Sequence, residues 1–108
     1  MSEYLFIQSQ DPFNETRANH QYQLAQRLCE AGHRVTLLLV QNGVTPARQG
    51  AESTAFDTLL CSGVHVLADG FSLDQREMGS AVLKPGVTVA DIGTAIDAML
   101  AGHKVIWN

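Results

Sequence analysis

Val35-Thr36-Leu37-Leu38-Leu39-Val40 is a nearly unbroken apolar run of β-branched residues and leucines, ended by Asn42-Gly43 and Pro46. A strand that faces water on one side alternates apolar and polar residues. A run without alternation is the pattern of a strand covered on both faces, as in a parallel sheet. Upstream, Tyr4-Leu5-Phe6-Ile7 repeats the pattern, and downstream so does Val64-His65-Val66-Leu67-Ala68. Between the first two runs, Ala18, Tyr22, Ala25, Leu28 and Cys29 fall on one helical face. Asn14 is the expected cap of that helix, with Glu15 in its first turn, and Gly32 ends it. Between the second and third runs, residues 51–61 read as a helix with Ala51, Ala55, Phe56 and Leu59 inward.

The later chain is less legible. Ser72 with Gln75 predicts a capping box opening a short helix that Gly79 ends. A fourth strand is expected in Ala81 to Leu83 or near Val87. Thr88 with Asp91 predicts another capping box, before a helix with Val89, Ile92, Ala95, Ile96, Met99 and Leu100 on its apolar face. Gly102 caps that helix, and Lys104 to Trp107 is the last strand. Strands alternating with helices require right-handed crossovers and a mostly parallel sheet. The expected architecture is a single-domain α/β three-layer sandwich with five strands in the flavodoxin-like order 2-1-3-4-5. Ala31-Gly32-His33 and Ala101-Gly102-His103 read as two helix ends of the same kind.

The 108 residues carry seven Lys and Arg against eleven Asp and Glu, for a formal net charge of -4. The seven are scattered, so no basic stripe exists to neutralise phosphates, and neither nucleic acid nor an anionic membrane is an expected partner. Met1-Ser2-Glu3 lacks the positive start of an export signal, and no apolar run is long enough to span a bilayer. A cytoplasmic location with reduced Cys29 and Cys61 is expected. No Gly-x-Gly-x-x-Gly, Walker loop or Gly-x-Ser-x-Gly elbow occurs, and no Cys or His pair has metal-ligand spacing. No cofactor and no metal is expected.

Ligands of open parallel sheets bind outside the carboxyl ends of the strands. The loops there carry Ser9, Gln10, Asp11, Asn14, Arg17, Asn42, Asp69, Ser72 and Arg76. Cys61 precedes the third strand, at the opposite edge, and Cys29 lies on an apolar helix face. His20, His33, His65 and His103 have no clustered partners in the sequence.

Taken in order, these segments resemble the DsrE/DsrF-like family, which includes the TusD and TusC sulfur-relay subunits. The resemblance runs through Tyr4-Leu5-Phe6-Ile7, Ala31-Gly32-His33, Val35 to Val40 and Asn42-Gly43-Val44. It is strongest in Gly63-Val64-His65-Val66-Leu67-Ala68-Asp69 with Ser72-Leu73 and Arg76. It implies the fold above, assembly as a homo- or hetero-oligomer with related subunits, and sulfur carried as a cysteine persulfide to a partner protein. In this alignment the carrier cysteine falls at Asp69, which cannot form a persulfide, and the family's Arg-Gly is Arg76-Glu77. The resemblance therefore implies an accessory, non-catalytic member that meets a persulfide-carrying partner, with Arg76 expected beside Asp69. The residue reading alone allows Asp69 to be a helix cap. Two alternatives stay open: a sulfurtransferase that uses Cys61, and a small-ligand binding module built from Gln10, Asp11, Asn42, Asp69, Ser72 and Arg76. Trp107 reads either as core or as an exposed contact between subunits.

Overall fold

The computed structural model describes residues 2–13 and 16–107, so the expected cap Asn14 and its neighbour Glu15 lie outside the described residues. Five strands form one all-parallel sheet: β1 (Glu3–Gln8), β2 (Arg34–Leu39), β3 (His65–Asp69), β4 (Val87–Ala90) and β5 (Lys104–Trp107). Four helices connect them: α1 (Thr16–Glu30), α2 (Thr54–Leu60), α3 (Gly70–Gln75) and α4 (Gly93–Leu100). A 3-10 segment, Gln41–Ala47, follows β2 and holds Asn42-Gly43 and Pro46, the residues that stop the strand.

The strand order is β4-β3-β2-β1-β5, not the expected 2-1-3-4-5. The reason is where α2 packs. Phe56 and Leu59 of α2 join Tyr22 and Ala25 of α1 in one buried cluster, with the Tyr22 and Phe56 rings edge to face at 5.7 Å. With α1 and α2 on the same face, right-handed crossovers must step in the same direction, so β3 lies beyond β2 rather than beside β1. Leu73 of α3 enters the same cluster and continues the march to β4. Only the return from β4 to β5, beside β1, runs the other way, and its helix α4 therefore lies on the opposite face. The three layers are thus unequal, with three helices on one side and one short helix on the other.

The β1–α1–β2 unit matches expectation closely. Leu5, Phe6 and Ile7 are fully buried, and Gly32 takes the left-handed conformation (φ 96°) that ends a helix. The α2 helix is shorter than expected, with Ser53 as its cap, accepting from the Phe56 N–H. Gly43 is fixed by space rather than by dihedral angle. A Cβ there would collide with the Gln8 carbonyl, so only glycine lets the chain after β2 lie against the end of β1.

Three expectations in the later chain are corrected. The cap of α3 is Asp69, not Ser72, which lies inside the first turn, and the helix ends at Gln75 before Gly79 is reached. Of the two places expected for the fourth strand, the one near Val87 holds it, and Ser80–Val82 is a single 3-10 turn. Thr88 is no cap, because Val87-Thr88-Val89-Ala90 is β4, paired with β3 from Val66 to Asp69. The α4 helix starts at Gly93, and it turns Ala95 and Ala98 toward the sheet. Ile92, Ile96, Met99 and Leu100, expected inward, are exposed.

Candidate functional site

At the carboxyl edge of the sheet, the connections leaving neighbouring β3 and β4 go to opposite faces, the arrangement that opens a crevice in a parallel sheet. Asp69 ends β3 there. Its Oδ2 accepts from the Ser72 N–H at 3.0 Å and from Ser72 Oγ at 2.7 Å. The Ser72 hydroxyl in turn accepts from the Gln41 N–H at 2.8 Å. This chain ties the end of β2 to the start of α3. Gln41 sits at φ 51°, a left-handed conformation that costs a side-chain-bearing residue about 1 kcal/mol and persists only where surrounding contacts impose it.

Asp69 and Ser72 are both buried, yet they reach an open pocket of about 310 Å³ on the α4 side of the sheet. Gln41, Asp69, Ser72 and Gln75 supply its polar lining, and Phe71, Ile92 and Trp107 its large apolar lining. These three side chains are themselves exposed, Phe71 to 70 % and Trp107 to 61 %. The second oxygen of Asp69, Oδ1, takes no hydrogen bond from any described residue. Among the described residues lining the pocket, Asp69 is the sole charged one.

The other residues singled out in the sequence divide into separate groups. Arg76 does not meet Asp69. Its Nη1 donates to the Ser72 carbonyl at 3.1 Å, and its Nε and Nη2 donate to Asn42 Oδ1 at 3.3 and 2.9 Å. Arg76 and Asn42 therefore form a clasp between the end of α3 and the 3-10 segment. Helical geometry explains the displacement, since four residues beyond Ser72 the guanidinium lies over the carboxyl end of a one-and-a-half-turn helix, away from the cap. Gln10 and Asp11 lie over the end of β1 and do not line the pocket. There Gln8 donates to Gln21 Oε1 and accepts from the Gln10 N–H, while Asp11 Oδ1 accepts from the Phe13 N–H. Beneath them the Tyr22 hydroxyl is sealed from solvent with no hydrogen-bond partner among the described residues. Burial pushes its ionisation far above the ordinary tyrosine range, and the nearby Asp11 charge adds to the shift.

Sequence reasoning missed Val40, Gln41, Phe71, Gln75, Ile92 and Trp107 as pocket residues. The signal of the apolar ones was weak, because an apolar residue beside a strand end reads equally well as core.

Both thiols lie at the opposite, amino edge. Cys61 is exposed at the end of α2, and Cys29 is half-buried with its Sγ 3.7 Å from the Ser62 carbonyl. His103 and Arg34 both engage Glu3 at that edge, at 2.8 and 3.3 Å, and His33 accepts from the Ser2 N–H. A hollow of about 330 Å³ beside α4, lined in part by Thr36, Asp97 and His103, belongs to the same end. Among the described residues no group of three His, Cys, Asp or Glu side chains is placed to hold a metal ion, and no helix is long and apolar enough to cross a membrane.

The family model of the DsrE/DsrF-like family matches residues 2–107. Among solved structures, the chain is similar to the ychN protein of E. coli, with a TM-score of 0.87 and 20% identity over 100% of both chains. It is similar also to MTH1491 of Methanobacterium thermoautotrophicum, described as of unknown function, with a TM-score of 0.85 and 21% identity over 100% of both chains. BT1422 of Bacteroides thetaiotaomicron, likewise described as of unknown function, gives 0.80 and 18% over 99% of this chain and 95% of that one. At such identities the likeness concerns the fold alone. No curated protein matches the chain.

Proposed function

This chain belongs to the DsrE/DsrF-like family, and on that premise we propose that it is an accessory subunit of a sulfur relay, binding a persulfide-bearing partner without carrying sulfur itself. The observation that carries the reading is the state of Asp69. It stands where the family resemblance sets the carrier cysteine, and it is committed to capping α3 through Ser72. A carboxylate has no sulfur nucleophile to offer. Neither thiol of the chain shares that edge of the sheet, so neither can stand in for it within the pocket.

Assembly fits the unequal layers. Ile96, Met99 and Leu100 make one exposed stripe along α4. Asp97 is the single charge within α4 itself, so a second copy meets the stripe with little like-charge repulsion. A second copy of this chain is the proposed occupant.

The test is intact-protein mass spectrometry after the reduced chain is incubated with a persulfide donor. An unchanged mass in folded protein is the expected result. A gain of sulfur that disappears in Cys61→Ser would replace this reading with an active carrier. The exposure of Cys61 is the observation that keeps that alternative worth testing.

A further inference from the structure

We propose that the pocket over Asp69 binds an organic cation: an ammonium or guanidinium group on a short aliphatic stem. This goes beyond the accessory role and does not rest on it.

The argument begins with charge. Asp69 is 8 % exposed, and a carboxylate at that depth calls for a partner. Ser72 satisfies Oδ2 twice over, while Oδ1 takes no hydrogen bond from a described residue and belongs to a residue that lines the pocket. No described Lys, Arg or His lines the space. The nearest candidate in sequence, Arg76, is turned to Asn42 and the Ser72 carbonyl. An anion would therefore meet one negative charge and no positive one. The Ser72 N–H at the start of α3 is also already taken by Asp69.

The walls narrow the class of cation. Phe71 and Trp107 place aromatic rings in the lining, a side-chain class that attracts cations through the ring quadrupole, and Ile92 and Val40 supply apolar surface for a carbon stem. A hard divalent metal is a poor fit, since calcium takes about 6–8 oxygen ligands and magnesium near-octahedral ones, and the pocket supplies one carboxylate. The volume of about 310 Å³ is at the small end for ligand sites and suits a group of side-chain size.

Trp107 is the chain's single tryptophan and lines the pocket, so its fluorescence reports binding directly. The experiment titrates the full chain at low salt with agmatine, and in parallel with butyrate and sulfate. Saturable change with agmatine and none with the two anions is expected. Asp69→Asn keeps a residue that caps helices as well as aspartate, so fold is retained and checked by thermal melting. It should weaken agmatine binding by at least about tenfold. Phe71→Ala should weaken it by about threefold, the worth of an exposed cation–aromatic contact. No saturable agmatine response, an undiminished response in folded Asp69→Asn, or equal responses to butyrate and agmatine would each overturn the assignment. A short peptide with an internal arginine distinguishes the source of the cation. Tighter binding of the peptide assigns the group to a partner protein's side chain, and tighter binding of agmatine assigns it to a free ligand.

Discussion

The two faces of the sheet are built on opposite plans. Under α1, α2 and α3, the large residues point inward: Phe6, Tyr22, Leu37, Leu39, Phe56 and Leu59 are all fully buried. Under α4 the plan inverts. Ala95 and Ala98 face Leu5, Ile7, Leu38 and Leu67, while Ile96 and Leu100 point to solvent, Leu100 to 82 %. Small residues let α4 sit close on the sheet, and the large residues stay exposed on its outer side. A helix apolar all round is therefore not evidence of deep burial, and the bulk of its side chains tells which side is turned to a partner.

If this contrast is right, substitutions on the two faces separate into stability and association. The largest effect is expected for Phe56→Ala, which removes the ring packed on Tyr22. It should cost about 3–5 kcal/mol in denaturant unfolding. Gly43→Ala comes next, at about 2–3 kcal/mol, because a Cβ meets the Gln8 carbonyl and the backbone must shift. A loss under 0.5 kcal/mol there would show that the junction of β1 and the 3-10 segment gives way.

Tyr22→Phe should act in the opposite direction, raising stability by about 1 kcal/mol, since it deletes a buried hydroxyl without a partner. Its pH dependence sharpens the point. Above about pH 10 the unfolded chain's tyrosine releases its proton while buried Tyr22 keeps it. The folded state then binds more protons, and stability falls as pH rises. In Tyr22→Phe the alkaline limb of a stability–pH profile should be shallower.

The smallest effect on folding belongs to Leu100→Lys, within about 0.5 kcal/mol. The same substitution should abolish the proposed pairing with a second copy, read as a lower mass in light scattering. Loss of folding stability without any change of mass would abolish the contrast between the faces.

The early chain was legible because its signals agree. Tyr4 to Ile7 and Val35 to Val40 are continuous apolar runs, and Gly32 marks the turn between them at the residue where the backbone is left-handed. Strand order was not legible, because nothing in the periodicity of α2 says which face of the sheet receives Phe56. The Thr88–Asp91 capping box was misread for a local reason. Val87-Thr88-Val89-Ala90-Asp91 fits a strand followed by an Asx turn as well as it fits a capped helix, and pairing with Val66 to Asp69 decides between them. Of the candidate site, Asp69 and Ser72 were visible because polar residues after a buried strand stand out. Ile92 was read onto the inward face of the last helix, Trp107 stood open between core and subunit contact, Phe71 drew no reading, and Arg76 was assigned to the wrong neighbour because sequence spacing gives no direction to a long side chain.

The hydrogen bonds around Ser72 have a polarity. Gln41 N–H gives to the hydroxyl, and the hydroxyl gives its one proton to Asp69 Oδ2. An amide cannot reverse its part, so the hydroxyl cannot turn round without abandoning one neighbour. Oδ2 is thereby fixed as a receiver, and a donor that comes to Asp69 from the pocket finds Oδ1 as the oxygen with no hydrogen bond from a described residue. The wiring beneath the pocket thus makes a symmetric carboxylate one-sided.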